Sequence, residues 1–155
     1  MFNFLKRKKI KETTLDIQFG AFYATKTKDG YEIIRLLDLP GDSYHYQIIG
    51  SALPNLPTAE ELEKIKPFIL HIPMDIAAII DKNFQYVGHR KLTQADLAGY
   101  KYYLKEMGAD EKAVRDHARQ LIRLSNEAPD RMRIYQDQDG VFGEHLETID
   151  YNAKM

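Results

Sequence analysis

The stretch LDIQFGAFYATKTKDGYEIIRLLDLPGDSYHYQIIG, residues 15–50, decides the fold class. Leu15, Ile17 and Phe19 alternate with polar neighbours, the period of a half-buried strand. Asp29-Gly30 then interrupts the chain, and Tyr31 to Leu39 follows as a second, mostly apolar strand. Pro40-Gly41-Asp42 interrupts it again before Tyr44 to Ile49. Asp-Gly supplies the positive φ of a tight hairpin, so the pattern predicts a three-stranded antiparallel meander. A sheet therefore comes first, and helices follow.

Beyond residue 50 the signals become helical. Pro54 and Pro57 force an extended linker. Thr58-Ala59-Glu60-Glu61 is a capping box that opens a short helix to about Lys66, before Pro67. Phe68 to Ile72 reads as a buried strand bounded by Pro73, and Phe84 to Val87 as another. Met74 to Ile80 is too short to assign by periodicity. Thr93-Gln94-Ala95-Asp96 is a second capping box, followed by Leu97, Tyr100, Leu104 and Met107 at helical spacing up to Gly108. Asp110 opens a further helix, whose inner face is Val114, Ala118, Leu121, Ile122 and Ser125. A few residues separate the two helices, which predicts an antiparallel helix pair. Met132 to Tyr135 and Val141 to Leu146 read as a C-terminal β-hairpin about Asp139-Gly140. The expected class is α+β: an antiparallel or mixed sheet opening with the meander, helices packed on one face, and the C-terminal hairpin.

The chain has 155 residues, which suits one domain. Residues 1–13 are expected to be a basic flexible tail, and residues 14–155 a single domain. No stretch approaches the roughly 18 apolar residues of a membrane span. Phe2, Phe4 and Leu5 precede Lys6-Arg7-Lys8-Lys9, the reverse of a secretory signal. A solvated tail is the plain reading of this segment, and weak contact with an anionic surface is the sharper one. The chain contains no cysteine, which removes disulfides, thiolate nucleophiles and cysteine-based zinc sites, and a reducing cytoplasm is the expected location.

The tail also masks the charge balance. The chain has 22 basic and 23 acidic residues, and five of the basic ones fall in residues 1–11, which hold no acid. The body therefore carries 17 basic against 23 acidic residues, a net charge of −6. An acidic body disfavours nucleic acid as the main partner and suits a basic protein surface.

No constellation declares a chemistry. The five histidines (His45, His71, His89, His117 and His145) show no metal-ligand spacing, so neither metal nor cofactor is expected. Ser43, Ser51 and Ser125 sit in no nucleophile elbow, and no glycine cluster precedes a helix. Tyr44-His45-Tyr46 places two tyrosines on one sheet face, which is a platform or a core edge. Lys112, Arg115, Arg119 and Arg123 form a stripe on the last helix, with Tyr102 as the sole candidate aromatic beside them. From Gln136 onward, Asp137, Asp139, Glu144, Glu147 and Asp150 oppose Lys154, a net of −4.

These features lead to a class of function. The chain reads as a small, non-enzymatic, cytoplasmic, bacterial-type protein that binds another protein, with a toxin-neutralising immunity protein as its concrete form. The expected contact residues are Asp137, Asp139, Glu144, Glu147, Tyr44 and Tyr46, facing a basic partner surface. The alternative is an enzyme or small-ligand module built around Arg35, Asp38, Tyr44 and His45. RNA binding through the Lys112/Arg115/Arg119/Arg123 stripe is the weaker alternative.

Overall fold

The computed structural model of the chain describes residues 11–40, 43–75, 82–127, 130–136 and 142–145, with side chains for 18–40, 43–74 and 82–127. It is an α+β structure. Strands β2 (Ala21–Thr27), β3 (Gly30–Asp38), β4 (Ser43–Leu53), β5 (Ile69–Asp75) and β6 (Gln85–His89) form a five-stranded sheet in the order β5-β4-β3-β2-β6. Every pairing in it is antiparallel. β1 (Lys11–Ile17), β7 (Asp130–Gln136) and β8 (Phe142–His145) form a second, three-stranded antiparallel sheet in the order β1-β7-β8.

Local chemistry accounts for the central strand, the β2–β3 turn and the helix ends. The central strand, β3, is buried at every position from Ile33 to Asp38, because it has sheet neighbours on both edges and covered faces on both sides. Gly30 closes the β2–β3 turn at φ +141, where a side chain would collide with the backbone of Leu53. Helix α1 (Ala59–Lys64) starts where the Thr58 hydroxyl accepts the Glu61 amide at 3.2 Å. Helix α2 (Ala98–Glu106) ends at Met107, and Gly108 follows at φ +98 with its amide on the Lys105 carbonyl. Helix α3 (Glu111–Leu124) starts where Asp110 accepts the Ala113 amide at 2.8 Å. Its buried residues are Val114, Ala118, Leu121 and Leu124, spaced by four, three and three.

The Thr93–Asp96 box is present and has a second use. Thr93 and Asp96 exchange backbone and side-chain hydrogen bonds at 2.9 and 3.3 Å. The turn it closes precedes α2, which begins at Ala98 without a side-chain cap. Asp96 also holds the buried Arg35 guanidinium at 2.8 Å.

Five expectations need correction. Helices, expected on one face of the sheet, lie on both: Leu62 of α1 packs with Phe22, Ala24 and Ile33, while Tyr100 of α2 and Ala118 and Leu121 of α3 pack with the alternate residues Ala21, Tyr23 and Ile34. The alternating Leu15, Ile17 and Phe19 do not open the strand succession of the large sheet. Residues through Ile17 belong to β1, whose partner is β7, and the strand preceding β3 is β2. The break is a tight turn in which the Ala21 amide bonds the Gln18 carbonyl, with Gly20 at φ +84 against the Arg90 carbonyl. Residues 11–13, expected within the tail, begin β1 and pair with residues 134–136. β5 passes through Pro73 instead of stopping there, because β5 is an edge strand and an edge residue can lack its amide hydrogen. The same edge position leaves Phe68 and Leu70 exposed, although Phe68 to Ile72 reads as a buried strand. Met74 and Asp75 extend β5, while residues 76–81 lie outside the described residues.

Candidate functional site

Three regions gather chemically capable side chains: a buried polar cluster beneath α2 and α3, and two grooves that share Tyr102.

The cluster forms where sheet register meets the helices. Asp38 on β3 lies opposite His45 on β4, and His45 lies opposite Pro73 on β5. His71 is therefore the diagonal neighbour of His45 on the same sheet face. The two imidazoles meet edge to edge with their planes 9° apart and centroids 5.1 Å apart, and His45 Nδ1 is 2.8 Å from His71 Nε2. Tyr100 and Tyr103 of α2 close over them, with centroids 4.6 and 5.3 Å from His45. Asp38 is fully buried. Its Oδ2 accepts the Tyr100 hydroxyl and His117 Nε2, each at 2.6 Å, and its Oδ1 accepts the Leu39 amide at 2.7 Å.

Burial governs the protonation of this cluster. It lowers the His45 pKa, against the opposing pull of Asp38, and the neighbouring His117 lowers it further. Burial and then the neighbouring His45 push His71 down to about 4. Both rings are therefore neutral at neutral pH, and one ring nitrogen of the pair donates to the other. Ser43 Oγ lies 3.3 Å from His45 Nε2 and also donates to the Pro40 carbonyl at 3.2 Å. This is a hydroxyl–imidazole–imidazole chain with its central ring only 4% exposed. It links strands β4 and β5 to helix α2, and His71 alone of the pair reaches a groove.

Arg35 and Tyr44, grouped with Asp38 and His45 in the alternative reading, do different work. Arg35 is 0% exposed. It donates to the carbonyls of Gly20 at 3.2 Å, Arg90 at 2.7 Å and Lys91 at 3.2 Å, and pairs with Asp96. Its guanidinium and that of Arg90 lie over the Phe22 ring at 5.1 and 5.7 Å. Burial lowers its pKa while Asp96 opposes that change, and the group holds the loop before α2 against the sheet.

Tyr44 and Tyr46, expected to be partner-facing, are each 1% exposed. Tyr46 donates to Met74 Sδ at 2.8 Å, and burial and then Glu32 push its pKa up to about 12. Both rings belong to the core because β4 is an interior strand with neighbours on each edge. Glu144 falls in β8 with its side chain undescribed, and Asp137, Asp139 and Glu147 lie outside the described residues.

The first groove, of about 590 Å³, lies between β5 and α2. Phe68, Leu70, His71, Tyr102 and Tyr103 line it. The helix comes this close because residue 99 is glycine: a Cβ there would stand 2.8 Å from the Cβ of Leu70. The second groove, of about 540 Å³, lies between α2 and α3, and Lys101, Tyr102, Lys105, Arg115 and Arg119 line it. Of the expected stripe, Arg115 and Arg119 reach this groove, whereas Lys112 pairs with Asp116 at 2.8 Å and Arg123 with Glu127 at 3.9 Å.

Sequence reading missed His71, Tyr100, Tyr103 and His117 as a group, since they come from separate elements and share no spacing. Phe68 and Leu70 carried a usable signal: an apolar strand containing proline suits an edge. Among the described residues there is no group of three or more metal-ligating side chains, and no helix is long and apolar enough to cross a membrane. No family model, no curated protein and no solved structure matches this chain.

Proposed function

We propose that this protein is a non-enzymatic binding module that docks another protein on the face formed by β5 and α2. One observation carries the reading. Of six large apolar side chains exposed among the described residues, three (Phe68, Leu70 and Tyr102) line a single groove. Phe68 is 77% exposed and Tyr102 68%, and clustered apolar surface of this kind is costly in water unless a partner covers it. The edge position of β5 adds support, because among the described residues it pairs only with β4 and offers main-chain groups to an added strand.

The narrower form of the proposal is a toxin-neutralising immunity protein acting in the cytoplasm. The small size, the acidic body and the net charge of −4 after residue 135 support it. In that form Asp137, Asp139, Glu144 and Glu147 steer association with a basic partner.

The test is a photo-crosslinking amino acid placed singly at Phe68, Leu70 and Tyr102, and at Lys28 as a distant control, in the native cell. A single protein adduct at the first three positions and none at Lys28 is the expected result. Equal adduct yields at all four positions, or none at Phe68 and Leu70, overturn the proposal.

A further inference from the structure

The groove between α2 and α3 has a composition that the protein-docking reading does not use. Its cations come from two elements: Lys101 and Lys105 from α2, and Arg115 and Arg119 from α3. Glu111 is the one acid on its lining, and it pairs with Lys105 at 3.5 Å. Arg115 and Arg119 form no ion pair among the described residues. Four cations therefore line the groove with Glu111, and Asp116 beside Arg115 and Arg119 is the other nearby acid, in a body whose net charge is −6. A groove lined by cations from two elements attracts an anion.

Tyr102 lines the same groove and is 68% exposed. Guanidinium groups bind phosphate through paired N–H donors, and an exposed aromatic ring offers a face to a base. A phosphate beside a flat ring satisfies both features at once. A carboxylate side chain satisfies only the first, and the groove volume of about 540 Å³ falls in the range of small-ligand sites.

We propose that this groove binds a nucleotide unit, with Arg115 and Arg119 on the phosphate and Tyr102 stacked on the base. A free nucleotide and a single-stranded nucleic acid present the same unit. The proposal stands apart from the docking reading, although Tyr102 borders both grooves; Phe68 borders only the apolar one.

The experiment is fluorescence anisotropy at low salt with a fluorescein-labelled uridine octanucleotide, using the full chain. Uridine monophosphate and poly-glutamate serve as competitors. Saturable binding is expected. Arg115→Gln with Arg119→Gln should weaken it at least about tenfold and lower the slope of log affinity against log salt by about 1.4. Tyr102→Ala should weaken it by about fivefold or more. All three positions are exposed, so melting temperatures matching the parent confirm that the variants are folded. Displacement by the monophosphate assigns a nucleotide site. Binding of the octanucleotide without such displacement assigns a strand site, and either result supports the proposal. Phe68→Ala should leave this binding unchanged while removing the protein adduct, so the two proposals fail separately. Absence of saturable binding overturns the proposal. So does displacement by poly-glutamate combined with no effect of Tyr102→Ala, which would mark a polyanion contact only.

Discussion

Acidification should weaken the fold through His71, and the size of the effect follows from its environment. The imidazole has a pKa of 6.5 in an open chain and about 4 in the fold, chiefly through burial and then through the neighbouring His45. As pH falls, the unfolded chain takes up this proton first. The stabilising contribution is therefore complete above pH 6.5 and is lost progressively as pH falls towards about 4. A tenfold change in proton affinity corresponds to about 1.36 kcal/mol, so the ceiling is about 3 kcal/mol. His71 borders an open groove, and solvent screening reduces the expected loss to about 2 kcal/mol at about pH 4.5. Carboxylates and the remaining histidines also respond to acid, so the measurement is a difference. Urea unfolding of the parent and of His71→Gln is compared at neutral pH and at about pH 4.5. Glutamine keeps a hydrogen-bonding partner for His45 and cannot take the proton. The parent's advantage over the variant should shrink by about 2 kcal/mol between the two conditions. A gap constant to within about 0.5 kcal/mol refutes the reasoning. An NMR titration of the His71 ring with its midpoint near 6.5 instead of about 4 does so as well.

Two further substitutions probe the frame that holds the grooves. Arg35→Met removes a buried cation that satisfies three carbonyls and leaves Asp96 without its closest partner; a loss of about 3–5 kcal/mol in urea unfolding is expected, and a loss under about 1 kcal/mol would show that the guanidinium is not the strut of the 90–96 loop. Leu121→Ala, at a fully buried site on α3, should cost about 2–5 kcal/mol in the same measurement, and a cost under about 1 kcal/mol would mean that this face of α3 is not core.

The sequence alone determined what depends on neighbours in the chain. Asp-Gly at 29–30 demanded a positive φ, and the structure turns there, with Gly30 at +141. Thr58 and Asp110 mark the starts of α1 and α3, and Gly108 the end of α2, because caps satisfy amides and carbonyls within three or four residues. The inner face of α3 was legible from its 3.6-residue period.

Pairing over long distances was not legible. Leu15 and Ile17 alternate as strand residues in either sheet, and only the partner β7, more than a hundred residues away, decides between them. His45 and His71 become neighbours through the β4–β5 register, and Asp38 meets His117 across a sequence separation of 79 residues. Arg35, Tyr44 and His45 looked equivalent as candidates, because a sequence records side-chain chemistry and not which atoms lie within reach. Tertiary packing put Arg35 on backbone carbonyls, Tyr44 in the core and His45 on a second imidazole. The basic stripe of α3 was divided partly by local pairs. Asp116 on α3 and Glu127 just beyond its end, each four residues from a cation, pair with Lys112 and Arg123. The approach of α2 turned Arg115 and Arg119 into one wall of a groove, and that approach depends on contacts between elements that no local pattern encodes.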